Sequence, residues 1–374
     1  MADKKTKTKA PTKKPEESII AKKLAAQVAI MKKYGATTGM ASGGCTLGEV
    51  ADVGYYPTGL PVFDSNVIGI GGLPKGCVVE VYGIKSSGKS ALAMFLAAMV
   101  QKKDPLAFVK LYYLEGKVVP KWYLDMGLDP RRTLIPETKG SENMANQIHA
   151  DLASENPPEI IIIDSIAVTT PESVKEKSIE DRTMRDNLAR ASFLTDFFNS
   201  LTDGFYFPPK QKKPPKNAPP QKHVKLKNTP TCILCINHAK TRTKVIAPGK
   251  SITEWYSVGG VSLDFAAVLQ FMVKRIGFEK TSNGEVTHQK IKITADKNKL
   301  APPKKSCEVL LNFKGGMEQI GVVDYLGVAI EKGLASAAGA WITCALLPDG
   351  KIQGRDKFNQ FVDEHPDVKK VFAE

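Results

Sequence analysis

Hydrophobic residues along the chain fall into short apolar runs separated by stretches of helical periodicity. Four apolar runs have the length of buried β-strands: 77–82, 107–114, 159–163 and 231–237. Helical spacing marks the stretch 90–102 and the apolar residues at 194–201. Strands that are apolar on both faces and alternate with helices are typical of a mostly parallel sheet covered on both sides. The pattern therefore predicts an α/β fold.

Outside these four strands the pattern of apolar residues predicts further elements toward both ends of the chain. An amphipathic segment at 17–35 carries apolar residues at helical spacing and ends at Gly35. Further strands are predicted at 268–275 and 287–295, and short helices with a small hairpin follow from about Gly315. We therefore divide the chain into a basic tail with an N-terminal helix (1–48), a core (49–314) and a small α+β C-terminal domain (315–374).

The charge is strongly positive and unevenly distributed. The 374 residues carry a formal charge of +14, which favours a polyanionic partner. Much of the excess lies in residues 1–15 and in 204–228, a stretch with six prolines, seven lysines and no acidic residue. Such a composition does not bury a core, so we expect 204–228 to be an extended basic insertion. A solvated surface loop, an arm that contacts DNA and a site for a protein partner all remain open for it.

The composition excludes membrane and secreted proteins. The longest apolar run, 91–100, is half of the about 20 residues that cross a bilayer. The lysine-rich N-terminus lacks the apolar core of a secretory signal, so we expect a cytoplasmic protein with no membrane contact. Six cysteines in such a chain do not form a disulfide framework. The pair Cys232 and Cys235 lies in an apolar run, which favours a buried strand over a metal or redox site.

A phosphate-binding motif follows the first strong strand. The motif G-x-x-x-x-G-K-[ST] is matched in full by Gly83, Ile84, Lys85, Ser86, Ser87, Gly88, Lys89 and Ser90. A strand precedes it and a helix follows, so backbone N–H groups and the helix N-terminus converge on one anion. We expect Lys89 to contact the β- and γ-phosphates of a nucleotide and the Ser90 hydroxyl to bind Mg²⁺.

Two carboxylates end neighbouring predicted strands. Asp164 follows four isoleucines, and a parallel strand would deliver it to the sheet edge where the phosphate loop lies, as a Mg²⁺ carboxylate. Glu115 ends another strand in the same way and would polarise the water that attacks the γ-phosphate. Taken alone, Glu115 fits an exposed strand end equally well.

Four stretches together resemble the RecA-type homologous recombinases. They are Gly71–Ser90, Ile160–Ser165, Asp296–Pro302, and Gly339–Trp341 with Gly350–Gly354. The resemblance runs from about Glu17 to the C-terminus and implies a RecA-like P-loop NTPase core, a mostly parallel twisted sheet flanked by helices. The stretches 236–238 and 126–131 look closer to the phage UvsX branch, which is compatible with a virus-encoded origin.

The resemblance assigns roles to residues of the nucleotide site. Glu115 matches the glutamate that activates water. His238 stands where bacterial RecA has a glutamine that senses the γ-phosphate and signals to the DNA, and this departure puts that coupling in question. Trp122 replaces an adenine-stacking tyrosine, and an indole stacks at least as well. Lys297 and Lys299 match paired lysines that reach the neighbouring subunit's nucleotide.

By the same resemblance, ATP lies between protomers of a helical filament. Assembly and ATP binding are then one linked equilibrium, and turnover is the signal for disassembly. The N-terminal helix is expected to dock on the adjacent protomer, and Phe265 matches an interface phenylalanine. Without the resemblance, Phe265 reads as plain core. The last residues, 371–374, are not the long acidic tail of bacterial RecA, so we expect weak autoinhibition of that kind.

Two DNA-binding loops are implied, at about 175–190 and 239–260. Basic side chains would contact phosphates, and aromatic or apolar side chains would contact bases. The first loop offers Met184, Arg185 and Arg190; the second offers Lys240, Arg242, Lys244 and Trp255, with Gly259 and Gly260 as a hinge. For each residue singly, a solvated surface position is an equal reading.

We therefore expect a DNA-dependent ATPase that uses ATP and Mg²⁺, forms filaments on single-stranded DNA, and catalyses pairing and strand exchange with homologous duplex DNA in recombination and repair. Single-strand-binding and loading proteins are further expected partners. Two alternatives stay open. A RecA-core hexameric helicase would form rings, and a non-hydrolysing structural filament would coat single-stranded DNA without DNA-stimulated phosphate release.

Overall fold

The computed structural model describes most of the core and of the C-terminal region. The described residues are Lys22 and 54–116, 119–178, 180–181, 183–203, 226–247, 250–258, 260–320, 325–331, 333–365, 367–368 and 371. The predicted basic tail, the predicted N-terminal helix apart from Lys22, and the insertion up to residue 225 lie outside them. Apart from Lys22, all described residues belong to the unit Gly54–Glu374. In this described part, no helix has the length and apolar character that spanning a bilayer requires.

Fifteen strands are found in the described residues. They are β1 (Tyr55–Tyr56), β2 (Leu73–Pro74), β3 (Val78–Gly83), β4 (Val109–Tyr113), β5 (Thr133–Leu134), β6 (Ile160–Asp164), β7 (Cys232–Ala247), β8 (Lys250–Ser257), β9 (Ala267–Lys280), β10 (Val286–Asn298), β11 (Ser306–Asn312), β12 (Met317–Ile320), β13 (Ala335–Ala338), β14 (Trp341–Cys344) and β15 (Lys351–Gln353).

The same residues form eight α-helices. They are α1 (Lys89–Lys103), α2 (Pro120–Asp125), α3 (Ser141–Leu152), α4 (Glu172–Lys175), α5 (Met184–Asp203), α6 (Val261–Ala266), α7 (Tyr325–Glu331) and α8 (Arg355–Glu364). A π-helical turn at Phe63–Ile68 and two 3-10 turns, Ile166–Val168 and Leu226–Asn228, complete the elements.

One central sheet carries the fold, with strands in the order β12-β11-β10-β9-β3-β7-β6-β4-β5. Each neighbouring pair from β9 to β5 is parallel, and the pairs from β9 to β12 are antiparallel. Parallel strands present their carboxyl ends at a common edge, which is where ligands bind in such sheets. The predicted α/β fold with a mostly parallel sheet is therefore confirmed.

The two faces of the sheet bury separate apolar clusters. Alternate residues of β6 point to opposite sides, so Ile160 and Ile162 pack with α1, whereas Ile161 and Ile163 pack with α3 and α5. The cysteines of β7 divide in the same way: both are fully buried, Cys232 in the first cluster and Cys235 in the second. Their sulfurs face different sides of the sheet, as a buried strand requires.

The predicted DNA-binding loop at 239–260 is mostly regular structure, contrary to expectation. β7 does not end near residue 238 but continues to Ala247 and pairs antiparallel with β8. We call this pairing, 239–257, the ribbon. The segment 239–247 contains two threonines, a valine and an isoleucine, and β8 contains an isoleucine and a threonine; these β-branched residues favour extended backbone over a loop. Gly259 lies outside the described residues.

The other predicted loop, 175–190, is also partly helical. α5 begins at Met184, so Arg185 and Arg190 belong to a helix. Its start is stabilised by Asp186, whose carboxylate accepts hydrogen bonds from the backbone N–H (2.6 Å) and the hydroxyl of Thr183 (3.3 Å). This is one half of a capping box, with aspartate in place of glutamate; the N–H of Asp186 donates to the backbone carbonyl of Thr183 at 3.0 Å.

The structure bears on the start of the C-terminal domain and on the end of the basic insertion. β12 lies within 315–374, the range expected for the C-terminal domain, yet it pairs with β11 in the central sheet. The three-stranded sheet β13–β15 and helices α7 and α8 bury a cluster of their own. The end of the 204–228 insertion is anchored, because Leu226 is buried in a 3-10 turn.

Candidate active site

The phosphate-binding motif forms the connection between β3 and α1. A Cβ atom on Gly83 would lie 2.2 Å from the carbonyl oxygen of Val273, so the chain passes too close for any other residue. Gly88 has φ of +98°, a conformation that glycine adopts at little cost. The loop therefore closes tightly at the start of α1, whose first N–H groups are available to an anion.

Two side chains of the loop fit a phosphate group. Lys89 is 8% exposed, and its Nζ donates to the carbonyl of Ile84 at 2.8 Å. Burial lowers the pKa of its amine, although Asp164 and Glu115 oppose that shift. The buried hydroxyl oxygen of Ser87 has no hydrogen-bond partner among the residues that the structure describes. A phosphate oxygen accepts hydrogen bonds, so the Lys89 ammonium and the Ser87 hydroxyl can both donate to it.

A cleft of about 210 Å³ opens beside the loop. Trp122 of α2 lines it, together with Gln289 of β10 and the side chains of Leu311 and Phe313. Gln289 donates from Nε2 to the carbonyl of Ser86 at 3.2 Å and so braces the loop. Sequence reasoning found Trp122 but missed the other three, because no motif connects them to residues 200 positions away.

Asp164 lies at the end of β6, beside the loop. It is 3% exposed and accepts a hydrogen bond from the Ser90 hydroxyl. Burial raises the pKa of its carboxyl to about 6; the charge of Glu115 adds to this, and Ser90 and Lys89 oppose it. A carboxylate and a hydroxyl in contact are oxygen ligands of the type that Mg²⁺ takes, so these two residues fit the ion.

Glu115 follows β4 and reaches the same edge. Its Oε1 accepts a hydrogen bond from the Ser165 hydroxyl and lies 2.9 Å from Nε2 of His238. Partial burial opposes ionisation, but the hydrogen bonds from Ser165 and His238 and the charge of Lys89 hold the pKa of Glu115 below its usual value. Glu115 is therefore a tethered, ionised carboxylate rather than a free strand end. Ser165 was missed as a partner, although it directly follows Asp164.

The paired lysines and Phe265 lie together at another part of the fold. The Nζ of Lys297 donates to the carbonyl of Asp264, and Nζ of Lys299 donates to the carbonyl of Phe265 at 3.0 Å. The side chain of Phe265 is 72% exposed, so it is not a core residue. Both amines therefore contact α6 within the chain, next to an exposed aromatic ring.

The ribbon carries the predicted basic and aromatic side chains on two faces. Lys240 is paired with Tyr256, and Thr241 with Trp255. Side chains alternate along a strand, so Lys240 and Arg242 share a face with Tyr256, and Trp255 lies on the other. The Arg242 guanidinium lies 5.7 Å from the centre of the Tyr256 ring. For Lys244, only the backbone pairing with Ile252 is described.

The first predicted DNA segment is less uniform. Arg185 is exposed on the first turn of α5, whereas Arg190 is half-buried and donates to the carbonyl of Ile166 at 3.4 Å. Burial lowers the pKa of Arg190. The side chain of Met184 lies outside the described residues, and Gly260 precedes α6 with φ of +81°. Arg185 is thus more accessible to a phosphate than Arg190.

Comparison with known proteins bears on the resemblance directly. The RecA N-terminal domain family matches residues 22–194. A protein RecA from Ruminococcus albus is 30% identical over 319 residues, which cover 85% of this chain and 70% of the relative. The chain belongs to the RecA family. RecA proteins from Cytophaga hutchinsonii and Acidiphilium cryptum are 29% and 28% identical, over 86% and 92% of this chain and 80% and 89% of their own.

The resemblance found in the sequence is therefore confirmed at the level of the family. RecA proteins act in homologous recombination and DNA repair and bind ATP and DNA. These general properties carry over to a RecA-family chain with an intact phosphate loop.

Proposed function

We propose that this RecA-family protein is a DNA-dependent ATPase that forms filaments on single-stranded DNA with ATP and Mg²⁺, and pairs that strand with a homologous duplex. The observation that carries the proposal is the course of β7. This one strand presents His238 to Glu115 at 2.9 Å and then continues into the ribbon with Lys240 and Arg242. The ribbon is therefore continuous in the chain with His238, and His238 contacts the proposed catalytic base through a hydrogen bond.

The phosphate loop and the acidic edge divide the chemistry. Lys89 and the N–H groups at the start of α1 bind and orient the phosphates of ATP. Ser90 and Asp164 would hold Mg²⁺, which would neutralise the charge that develops on the transferred phosphoryl group. Glu115 accepts a proton from the attacking water, a role that needs the ionised carboxylate that its surroundings favour. Ser165 holds that carboxylate in place.

His238 is the proposed link between hydrolysis and DNA. Its imidazole contacts the carboxylate of Glu115, so movement of the ribbon changes the position of the base relative to the phosphates. This assigns to a histidine the coupling role that bacterial RecA gives to a glutamine. Trp122, which lines the cleft beside the phosphate loop, is proposed to stack on the adenine ring.

The proposed filament interface uses α6 and the residues around it. Phe265 exposes a large apolar surface, which a neighbouring protomer would cover. Lys297 and Lys299 lie beside it and are proposed to reach that neighbour's nucleotide. The ribbon, with Arg185 of α5, is the proposed surface for single-stranded DNA. The resemblance to the family supports five further proposed DNA contacts: Met184, Arg190, Lys244, Gly259 and Gly260.

The test is phosphate release from ATP without DNA, with single-stranded DNA and with duplex DNA, alongside negative-stain images of the same samples. Hydrolysis stimulated by single-stranded DNA, together with helical filaments, is the expected result. Strand exchange between a circular single strand and a linear duplex is then measured directly.

Other outcomes favour the other candidates. Closed rings in place of filaments would contradict the recombinase proposal and favour a helicase. Filaments on DNA without stimulated phosphate release would favour a structural coat. Absence of ATP binding would contradict the whole assignment.

A further inference from the structure

Glu80 is a buried acid in the middle of a hydrophobic strand. Glu80 is 0% exposed, and the residues on either side of it in β3, Val79 and Val81, are both valines. Burial of a carboxylate is costly unless hydrogen bonds satisfy it. Here Oε1 accepts from Nδ2 of Asn237 at 2.8 Å and Oε2 accepts from Nε2 of Gln270 at 2.7 Å. The hydroxyl of Ser257 donates to the same carboxyl.

Two of these three partners lie at the root of the ribbon. Asn237 lies in β7 directly before His238, two positions before the ribbon begins, and Ser257 is the last residue of β8. Asn237 also donates from Nδ2 to the carbonyl of Val258, and its Oδ1 accepts the backbone N–H of His238 at 2.8 Å. The carboxyl of Glu80 thus joins both strands of the ribbon where they leave the sheet.

The same strand leads to the active site. Three residues beyond Glu80, β3 ends at Gly83, the first residue of the phosphate loop, and Gly83 is paired in register with His238. His238 in turn contacts Glu115. We propose that Glu80 is a positioning residue that couples the ribbon to the nucleotide site, acting through Asn237 and His238.

The ionisation of Glu80 gives this coupling a pH dependence. Burial raises the pKa of Glu80 to about 7; its three hydrogen bonds oppose that shift and Asp264 adds to it. Other ionisable groups near it are Tyr82 on β3, Cys235 on β7 and Lys297 on β10. Above about pH 7 the carboxylate accepts all three donors. Below that pH one oxygen carries a proton, so the coupling weakens.

The first test is hydrogen exchange of the ribbon amides with and without a non-hydrolysable ATP analogue. At pH 8 the analogue is expected to change the exchange protection of the wild-type ribbon amides. In Glu80→Gln this analogue-dependent change in protection is expected to be smaller by about tenfold or more, which is the effect of losing one hydrogen bond to a charged group. The matched control is Asp64→Asn, which removes another buried carboxyl. Within the described part of the chain, the Asp64 carboxyl accepts hydrogen bonds from Thr58 and Gly59 and none from the ribbon or the phosphate loop.

Two further measurements keep the test decisive if Glu80→Gln folds poorly. Ser257→Ala removes one donor from a partly exposed position, and a smaller loss in the same direction is expected. In the wild type and in Asp64→Asn, the response to the analogue is expected to fall between pH 8 and pH 6. In Glu80→Gln it is expected to be small and flat. A wild-type ribbon that does not respond to the analogue, or variants at Glu80 and Ser257 that respond as the wild type does, would overturn the proposal.

The inference rests on the proposed function only for the identity of the ribbon's ligand. If single-stranded DNA does not stimulate wild-type hydrolysis, the proposed function fails, and the exchange experiment still tests the coupling. If it does stimulate the wild type and stimulates Glu80→Gln equally, the role of Glu80 fails and the proposed function stands.

Discussion

The substitution Glu115→Gln isolates the proposed base with little change in shape. In the structure, Oε1 of Glu115 accepts a hydrogen bond from Ser165 and lies 2.9 Å from Nε2 of His238. The amide oxygen of glutamine retains an acceptor for Ser165. The amide does not accept a proton at neutral pH, whereas Glu115, whose pKa is held below its usual value, is an ionised carboxylate there. The change therefore removes proton acceptance and leaves the site intact.

The expected loss is large and confined to the chemical step. A general base contributes about 10²–10⁴ in rate, which corresponds to about 3–5 kcal/mol of activation free energy. Steady-state phosphate release with saturating single-stranded DNA is expected to fall by that factor. Nucleotide affinity, measured with a fluorescent ATP analogue, and filament formation are expected to remain close to wild type, because the phosphates are bound by the loop around Lys89.

Ser165→Ala is the matched control. It removes the donor to Glu115 but leaves the carboxylate, so the pKa of Glu115 rises and the base is less well held. We expect a loss of about tenfold and a rate that declines at a higher pH than in the wild type as the solution is acidified. Undiminished turnover by Glu115→Gln would refute the assignment of Glu115 as the base.

Three further predictions test separate parts of the molecule. Lys89→Ala is expected to abolish nucleotide binding in equilibrium titrations, and strand exchange at the wild-type rate would contradict the phosphate-loop assignment. Lys240→Ala is expected to weaken binding of single-stranded DNA and to reduce the number of counterions released on binding by about one. The control Lys103→Ala, at the far end of α1, is expected to leave both the affinity and its salt dependence unchanged. Asp64, whose pKa burial raises to about 7, favours the folded state when protonated. The stability of the wild type relative to Asp64→Asn is therefore expected to fall from about pH 4 to pH 7, by a few kcal/mol in urea unfolding.

The phosphate loop and the strands of the sheet were predictable because their signals are local. The loop residues 83–90 are contiguous, and their flanking strand and helix have clear hydrophobic patterns. Asp164 and Glu115 were placed at one edge by a general property of parallel strands. The ribbon was less predictable. Its composition favours strands, but the lysines and glycines around it also fit a loop, and the pairing of β7 with β8 decides between them.

The sequence by itself determined the family, the phosphate loop and the main strands of the core, because each motif and each apolar run that indicates them is contiguous in the chain. Only the tertiary structure decided that Ser165 and His238 hold Glu115, that Gln289 braces the loop, and that Glu80 joins the ribbon to β3. These contacts cross up to 203 positions of sequence. They depend on strand order and register, and no local pattern specifies which distant side chains a register brings into contact.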